Sequence, residues 1–343
     1  MDKQYNVVLV GCGHMGAAHM DDIYYRENIN VEGVVDLNPE KAKFFARKYG
    51  AKSWSTNYQN YLKDKNVDIV IIATYPSSHL KMLRDCIAAG KHVLCEKPIA
   101  TDLKEGREFV KLVKHAKTKV LVGHILRHNK TYQTVAKMIQ DGAIGSPIIM
   151  RMAQNHHTMD WNKYLALIKE TSPIIDCGVH YIDVMRWFTG AEVINVSGIG
   201  LRTEADVPED KYNYGLITLT LSDGSVAYYE AGWGNTIAAD NLKEFVGPKG
   251  RIRIIYKKDR ATHQEEGDLI EFYRYPEKTY EMINLDSNRK PTYDQLSCLI
   301  DMIENDTQAS PSIDDVYTAF EIAVAADEKI KNEYSKVNHI ALV

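Results

Sequence analysis

Residues 7–16 read VVLVGCGHMG, and this stretch decides the fold. An apolar run with the character of a buried strand leads straight into Gly11, Gly13 and Gly16. Their G-x-G-x-x-G spacing joins strand to helix around the diphosphate of a dinucleotide. The first glycine permits a tight turn, the second lets backbone approach the diphosphate, and the third lets helix and strand pack closely. Such glycines often serve turns alone. Here the loop follows the first strand, opens a helix, and Asp36 stands twenty residues beyond Gly16 at the end of the next apolar run. Gly11, Gly13, His14, Met15, Gly16 and Asp36 are therefore the expected cofactor contacts. A carboxylate at position 36 accepts from ribose hydroxyls and repels a 2′-phosphate. Leu37 and Asn38 supply no arginine to offset that repulsion, so NAD is expected in preference to NADP. His14 and His19 are read as structural rather than catalytic.

Outward from the loop, short apolar runs recur at EGVVD (32–36), DIVIIAT (68–74), HVLCE (92–96) and KVLVG (119–123). Between them lie helix-length segments such as PEKAKFFARKYG (39–50), SSHLKMLRDCIAAG (77–90) and TDLKEGREFVKLVKHAK (101–117). Strands apolar on both faces belong to a parallel sheet covered by helices. Ser77 or Ser78 and Thr101 are expected N-caps, and Gly50 and Gly90 expected helix stops. The pattern is a doubly wound, Rossmann-type domain over residues 1–124.

From about residue 192 the pattern changes to hairpins: YGLITLTL, SDGS, VAYYEAGW (214–233) and LKEFV, GPKG, RIRIIY (242–256). The Asp223-Gly224 and Gly247–Gly250 turns are expected to supply positive-φ positions. In RIRIIY, Ile252 and Ile254 alternate with Arg251 and Arg253, as on a sheet with one packed and one wetter face. Helices are expected near 291–304 and 312–333, the second opened by Ser312 with Asp315 three residues on. Residues 125–343 thus form an α+β domain with a large, mostly antiparallel open sheet. The fold class is α/β, a parallel domain followed by an antiparallel one.

At 343 residues, 45% hydrophobic and 26% charged, the chain can fill two cores. A net charge of -4 gives no basic excess for phosphate backbones, which argues against nucleic acid as a partner. Cys12, Cys86, Cys95, Cys177 and Cys298 are scattered without a CxxC, which argues for a reducing compartment and against a disulfide frame or zinc site. The N-terminus enters a strand by Tyr5, leaving no room for a signal peptide. The longest strongly apolar run, VDIVIIA (67–73), is far too short to span a bilayer. A cytoplasmic protein with no membrane partner is expected.

The glycine loop, ATYPSSH (73–79), CEKPIA (95–100), GHILRHN (123–129) and DCGVHYIDVMRWFTG (176–190) occur in one order. In this the chain resembles the glucose–fructose oxidoreductase, inositol dehydrogenase and rhizopine-catabolism (Gfo/Idh/MocA) family, through both domains. The resemblance implies NAD(P)-dependent oxidation or reduction at a secondary alcohol or ketone of a sugar, inositol or similar polyol. It implies Lys97, Asp176 and His180 as the catalytic residues, which also meet the substrate. It places Thr74, Pro76 and His79 along the cofactor, Glu96 and Lys97 on its nicotinamide side, and Arg127 on cofactor or substrate. A cis Lys97–Pro98 bond is implied as well. The chain departs from the family at Ser77, where asparagine is common, and in ETSPIIDCGV, which lacks a glycine-rich run.

Oxidising an alcohol frees a hydroxyl proton as the carbonyl forms, so a general base is needed within hydrogen-bond reach. The imidazole of His180 has an ordinary pKa near about 6.5 and suits that task. If 176–189 is helical, Asp176 and His180 are i and i+4 on one face, where the carboxylate can orient the imidazole or bind a neighbouring hydroxyl. Lys97 can stabilise developing alkoxide as a cation. NHHTMDW (155–161) offers His156, His157 and Trp161 as substrate-side contacts, with Trp233 a packing residue. Adjacent histidines on a strand alternate faces and cannot share one ion, so no metal is expected. Two other readings use the same motifs: a redox-neutral sugar-processing enzyme with captive NAD, and a non-enzymatic nucleotide sensor. An uncovered sheet face invites pairing of subunits, so a homo-oligomer, tetramer or dimer, is expected.

Overall fold

The computed structural model describes residues 3–158, 160–256 and 267–337. The chain divides into two compact units, Met1–Ile125 with Lys290–Tyr317, and Leu126–Arg289 with Thr318–Val343.

The first unit holds six parallel strands: β1 (Tyr5–Val10), β2 (Ile29–Val35), β3 (Ser53–Ser55), β4 (Ile69–Ile72), β5 (His92–Cys95) and β6 (Val120–Val122). Their spatial order is β3-β2-β1-β4-β5-β6, so the winding reverses between β1 and β4. In such sheets ligands bind outside the carboxyl ends of the strands at the reversal. Gly11, Thr74, Glu96 and Gly123 all lie at those ends.

Helices α1 (His14–Ile23), α2 (Pro39–Tyr49), α3 (Gln59–Leu62), α4 (Pro76–Ala88) and α5 (Leu103–His115) connect the strands. Asn38 caps α2, accepting from the Glu40 and Lys41 N–H groups, and Gly50 ends it at φ 66°. Two caps differ from the sequence expectation. Proline at the first helical position starts α4 at Pro76, before either serine; Ser78 donates instead to the Tyr75 carbonyl at 2.8 Å. Asp102 rather than Thr101 caps α5, accepting from the Glu105 N–H at 2.9 Å.

The second unit is built on an eight-stranded sheet. Its strands are β7 (Ile149–His157), β8 (Val193–Leu201), β9 (Tyr214–Leu221), β10 (Val226–Gly234), β11 (Lys243–Gly247), β12 (Gly250–Ile255), β13 (Asp268–Arg274) and β14 (Thr279–Leu285), in the order β14-β13-β12-β11-β7-β10-β9-β8. All pairings are antiparallel except β7 with β10. Gly224 takes the expected positive φ, 86°. Gly247 is required for another reason: a Cβ there would meet the Ile144 carbonyl oxygen at 2.2 Å. Helices α6 (Lys130–Gln140), α7 (Trp161–Glu170) and α8 (Pro173–Thr189) belong to this unit. Tyr181 of α8 stacks on Tyr229 of β10 with ring centroids 4.7 Å apart.

Helices α9 (Thr292–Asn305) and α10 (Ile313–Val337) close the chain. Ser312 opens α10 as expected: its hydroxyl accepts from the Asp315 N–H at 3.1 Å and donates to the Asp315 carboxylate at 2.8 Å. A division at residue 124 is too simple, because α9 packs into the first unit. Leu296, Leu299 and Ile300 join Leu9, Met20, Ile71 and Leu121 in one core. The Thr292 hydroxyl donates to Asp22 at 2.5 Å, and the Arg26 guanidinium lies 4.1 Å from the centre of the Tyr293 ring.

Candidate active site

Gly11 sits at φ +102°, and a Cβ there would lie 2.3 Å from the Ala73 carbonyl oxygen. A Cβ on Gly16 would lie 2.0 Å from the Gly11 carbonyl oxygen, which is the close helix–strand approach the spacing called for. Gly13 differs: it is exposed and a Cβ would meet nothing within 4 Å. No side chain caps α1 and its first turn holds no acid. A helix N-terminus without a side-chain cap, fronted by open space at Gly13, fits a diphosphate.

Asp36 is half-buried and held by two backbone donors, Cys12 N–H at 2.9 Å and Asn38 N–H at 2.8 Å. It does not cap α2. Burial, and then the Asp36 charge, push the Cys12 thiol up to about 12, so this loop cysteine stays protonated. His14 is exposed, Met15 half-buried, and the Lys290 ammonium donates to His14 Nε2. Lys290 brings a cation to the glycine loop from 276 residues away, and nothing local in the sequence marks it.

At the end of β4, Thr74 Oγ1 lies 2.7 Å from Ser78 Oγ, and Pro76 is buried at the head of α4. His79 is fully buried, with Nδ1 2.9 Å from the Pro98 carbonyl oxygen and Nε2 3.1 Å from that of Thr74. Burial is the main cause that lowers its pKa. At the end of β5, Glu96 turns inward to His19, and the Lys97–Pro98 bond is cis. From Val93 to Ala100 only Lys97 is not buried.

In the second unit Ser172 caps α8, accepting from the Ile175 N–H at 3.1 Å. From Thr171 to Met185 only Asp176 and His180 are not buried, one turn apart on the same face. The Cys177 thiol donates to Asp176 Oδ2 at 3.5 Å. Arg127 grips Asp183 with two bonds of 2.8 and 2.7 Å and lies 4.7 Å from the Trp187 ring centre, so its fork is engaged within the unit.

The NHHTMDW segment is split by the strand. His156 faces Tyr164, ring centroids 6.1 Å apart, while the adjacent His157 is exposed; Met159 lies outside the described residues. Asn155 bonds Glu230 at 2.7 Å. The Trp161 indole N–H donates to Asp206 at 2.6 Å. Trp233 is buried and packs edge-on against Tyr164 at 5.5 Å. Tyr164 was not singled out by the sequence, yet it packs beside His156, and burial, then the charges of Cys177 and Asp176, raise its pKa. Among the described residues no group of three or more His, Cys, Asp or Glu side chains could hold a metal. No described helix is long and apolar enough to cross a membrane.

Residues 5–124 match the model of the oxidoreductase family with an NAD-binding Rossmann fold, and residues 132–253 match the GFO/IDH/MocA C-terminal domain. The chain belongs to the Gfo/Idh/MocA family. It is accordingly an NAD(P)-dependent oxidoreductase. Among family members it is 26% identical to an inositol 2-dehydrogenase of Rubrobacter xylanophilus over 78% of both chains. It is 28% identical to the NAD(+)-dependent scyllo-inositol 2-dehydrogenase of Bacillus subtilis over 74% of this chain and 75% of that one. Among solved structures, the aldose-aldose oxidoreductase of Caulobacter crescentus superposes with a TM-score of 0.82 at 20% identity, covering 96% and 98% of the two chains. That likeness carries the fold alone.

Proposed function

We propose that the protein transfers hydride between NAD and a secondary alcohol or ketone of an inositol or related polyol. The observation that carries this reading is selective exposure. Lys97 on one buried segment, and Asp176 with His180 on another, are the positions left open where their neighbours are sealed. Two relatives of similar length named as inositol dehydrogenases support the substrate class. Asp36, aimed by two backbone donors, supports NAD over NADP.

When bound, the nicotinamide supplies the hydride acceptor or donor. The chain does the rest. Lys97 stabilises negative charge on the substrate oxygen, and His180 takes the hydroxyl proton as the carbonyl forms. Asp176 orients that imidazole or binds a neighbouring hydroxyl. His156, with Tyr164 beside it, offers a polar and aromatic surface to a polyhydroxylated ring. The apolar side chains of Ile149, Ile199 and Leu201, exposed on the sheet, support a homo-oligomer.

The test is turnover of a panel of inositols and sugars with NAD, following reduced nicotinamide. Lys97→Ala and His180→Ala are each expected to lower kcat by about 10²- to 10⁴-fold. Undiminished turnover in both variants would remove these roles.

A further inference from the structure

We infer that His79 is a positioning residue for Lys97, aiming its ammonium through the backbone and not by touching cofactor. The inference rests on Lys97 being the reacting cation of the proposed function. His79 lies inside α4, three residues beyond Pro76, and has no exposed surface. Both ring nitrogens face main-chain oxygens inside the protein, and only the protonated nitrogen donates, so the ring turns no polar atom toward a ligand. One oxygen belongs to Thr74, just past β4; the other belongs to Pro98, the residue after Lys97. The imidazole is thus a strut wedged between two strand ends, hydrogen-bonded to one and packed against the other.

The strut acts where Lys97 needs it. Glu96 on the other side is already anchored to His19 at 2.8 Å. With Glu96 and Pro98 both tied to buried imidazoles, the backbone of Lys97 is fixed at each flank and only its side chain is open to solvent. Reactive groups held by such supports keep their aim, and about 1 Å of misplacement can cost about 10²-fold in rate. A neutral imidazole carries one N–H. Burial keeps His79 toward that neutral form, with Glu96 and Lys97 the charged groups acting on it in opposite directions. Placed on Nδ1, the nitrogen with the nearer oxygen at 2.9 Å, that N–H donates to Pro98, and this placement is part of the inference.

That assignment separates two near-isosteres. Asparagine at 79 places an N–H where Nδ1 stands and can hold Pro98; glutamine reaches instead to the Nε2 position and Thr74. His79→Asn, His79→Gln and His79→Leu would be compared in the full-length protein, with circular dichroism confirming folding. Three readouts are taken: kcat with the best polyol, dinucleotide Kd by fluorescence, and the rate of Lys97 acylation by an amine reagent, read by peptide mass spectrometry. The Asn variant is expected to keep kcat and the Lys97 acylation rate within about threefold. The Gln variant should lose about 10²-fold in kcat with an altered acylation rate, while dinucleotide Kd moves less than about threefold. The Leu variant, if folded, follows Gln; if it does not fold, the Asn and Gln pair decides alone. Equal behaviour of Asn and Gln, or a loss of dinucleotide affinity as large as the loss of kcat, overturns the inference. Wild-type protein without polyol turnover would fail the proposed function, while the acylation rates would still test the strut.

Discussion

The imidazole of His19 and the carboxylate of Glu96 meet at 2.8 Å with both side chains buried. The contact ties α1, immediately behind the glycine loop, to the residue preceding Lys97. Among the described residues neither His19 Nδ1 nor Glu96 Oε2 has a hydrogen-bond partner, so the pair depends on this single bond. A Cβ at Gly123 would lie 2.9 Å from Glu96 Oε2, so glycine at this position makes the room the carboxylate occupies.

His19→Ala is therefore expected to strand a buried acid. Removing one partner of a buried pair costs about 3–5 kcal/mol. Glu96→Gln keeps an oxygen facing the imidazole and should cost nearer the net worth of one hydrogen bond, about 0.5–1.5 kcal/mol. Urea unfolding monitored by circular dichroism measures both. Equal stability of His19→Ala and wild type would show that the contact contributes nothing.

The proposed preference for NAD rests on Asp36. Hydrogen bonds to a charged group are worth about 1.5–3 kcal/mol, so its loss should raise the KM for NAD by about tenfold to 100-fold. Asp36→Ser is expected to do this while improving use of NADP, since the repulsive charge is gone. The same substitution releases the Cys12 N–H, so kcat is expected to fall modestly with both cofactors. Parallel KM changes for NAD and NADP would show that Asp36 serves only the loop.

The first unit was legible because its signals are local. Gly11, Gly13 and Gly16 sit at fixed spacing after an apolar run, and Asp36 follows at the next strand end. The resemblance carried by CEKPIA and the α8 segment supplied Lys97, Asp176 and His180, and the structure leaves those side chains open where neighbours are buried. The return of α9 to the first unit was not legible, since an amphipathic helix does not state which core it covers. Lys290 beside His14 depends on that same long-range placement, whereas Tyr164 beside His156 depends on how α7 folds back on the end of β7. His79 and Arg127 were visible as polar residues in telling positions. What the sequence could not display is that main-chain oxygens and Asp183 take up their donors.

Stability should fall on mild acidification through His92. Burial is the main cause that lowers its pKa from 6.5, with the charges of Lys3 and Lys119 adding to the effect and Asp68 opposing it. Its Nδ1 accepts the Lys119 N–H at 2.9 Å, a bond that protonation destroys. A base whose pKa is depressed in the folded state contributes stability above its unfolded value, and that stability is lost as pH falls. The window opens below the unfolded value of 6.5, and fully buried His79 adds to the same slope. Paired acids such as Asp85, lowered from 3.8 by Lys81 and then Tyr58, act only at much lower pH. The urea midpoint should thus drop between about pH 7.5 and pH 5.5. His92→Asn, which keeps an oxygen acceptor without titrating, should flatten the drop. An unchanged slope in that variant would assign the effect elsewhere.

Arg127 gives the last prediction. The resemblance implied a contact with cofactor or substrate, but its Nε and one terminal nitrogen are spent on Asp183, which is 1% exposed. Asp183 lies three residues beyond His180 on α8, so this ion pair locks the helix that presents His180. Lysine is a point charge and cannot reproduce a two-bond fork. Arg127→Lys should therefore lower unfolding stability by about 1.5–3 kcal/mol, the worth of a hydrogen bond to a charged group. Arg127→Ala, which takes the guanidinium away from buried Asp183, should cost about 3–5 kcal/mol. Adding Asp183→Asn to Arg127→Ala removes the buried charge and should recover part of the loss. Dinucleotide Kd, measured by fluorescence, should stay within about threefold in all three, because the fork is closed within the second unit. A tenfold or greater rise in Kd for Arg127→Lys with unchanged stability would instead make Arg127 a ligand contact, and Asp183 only its rest position.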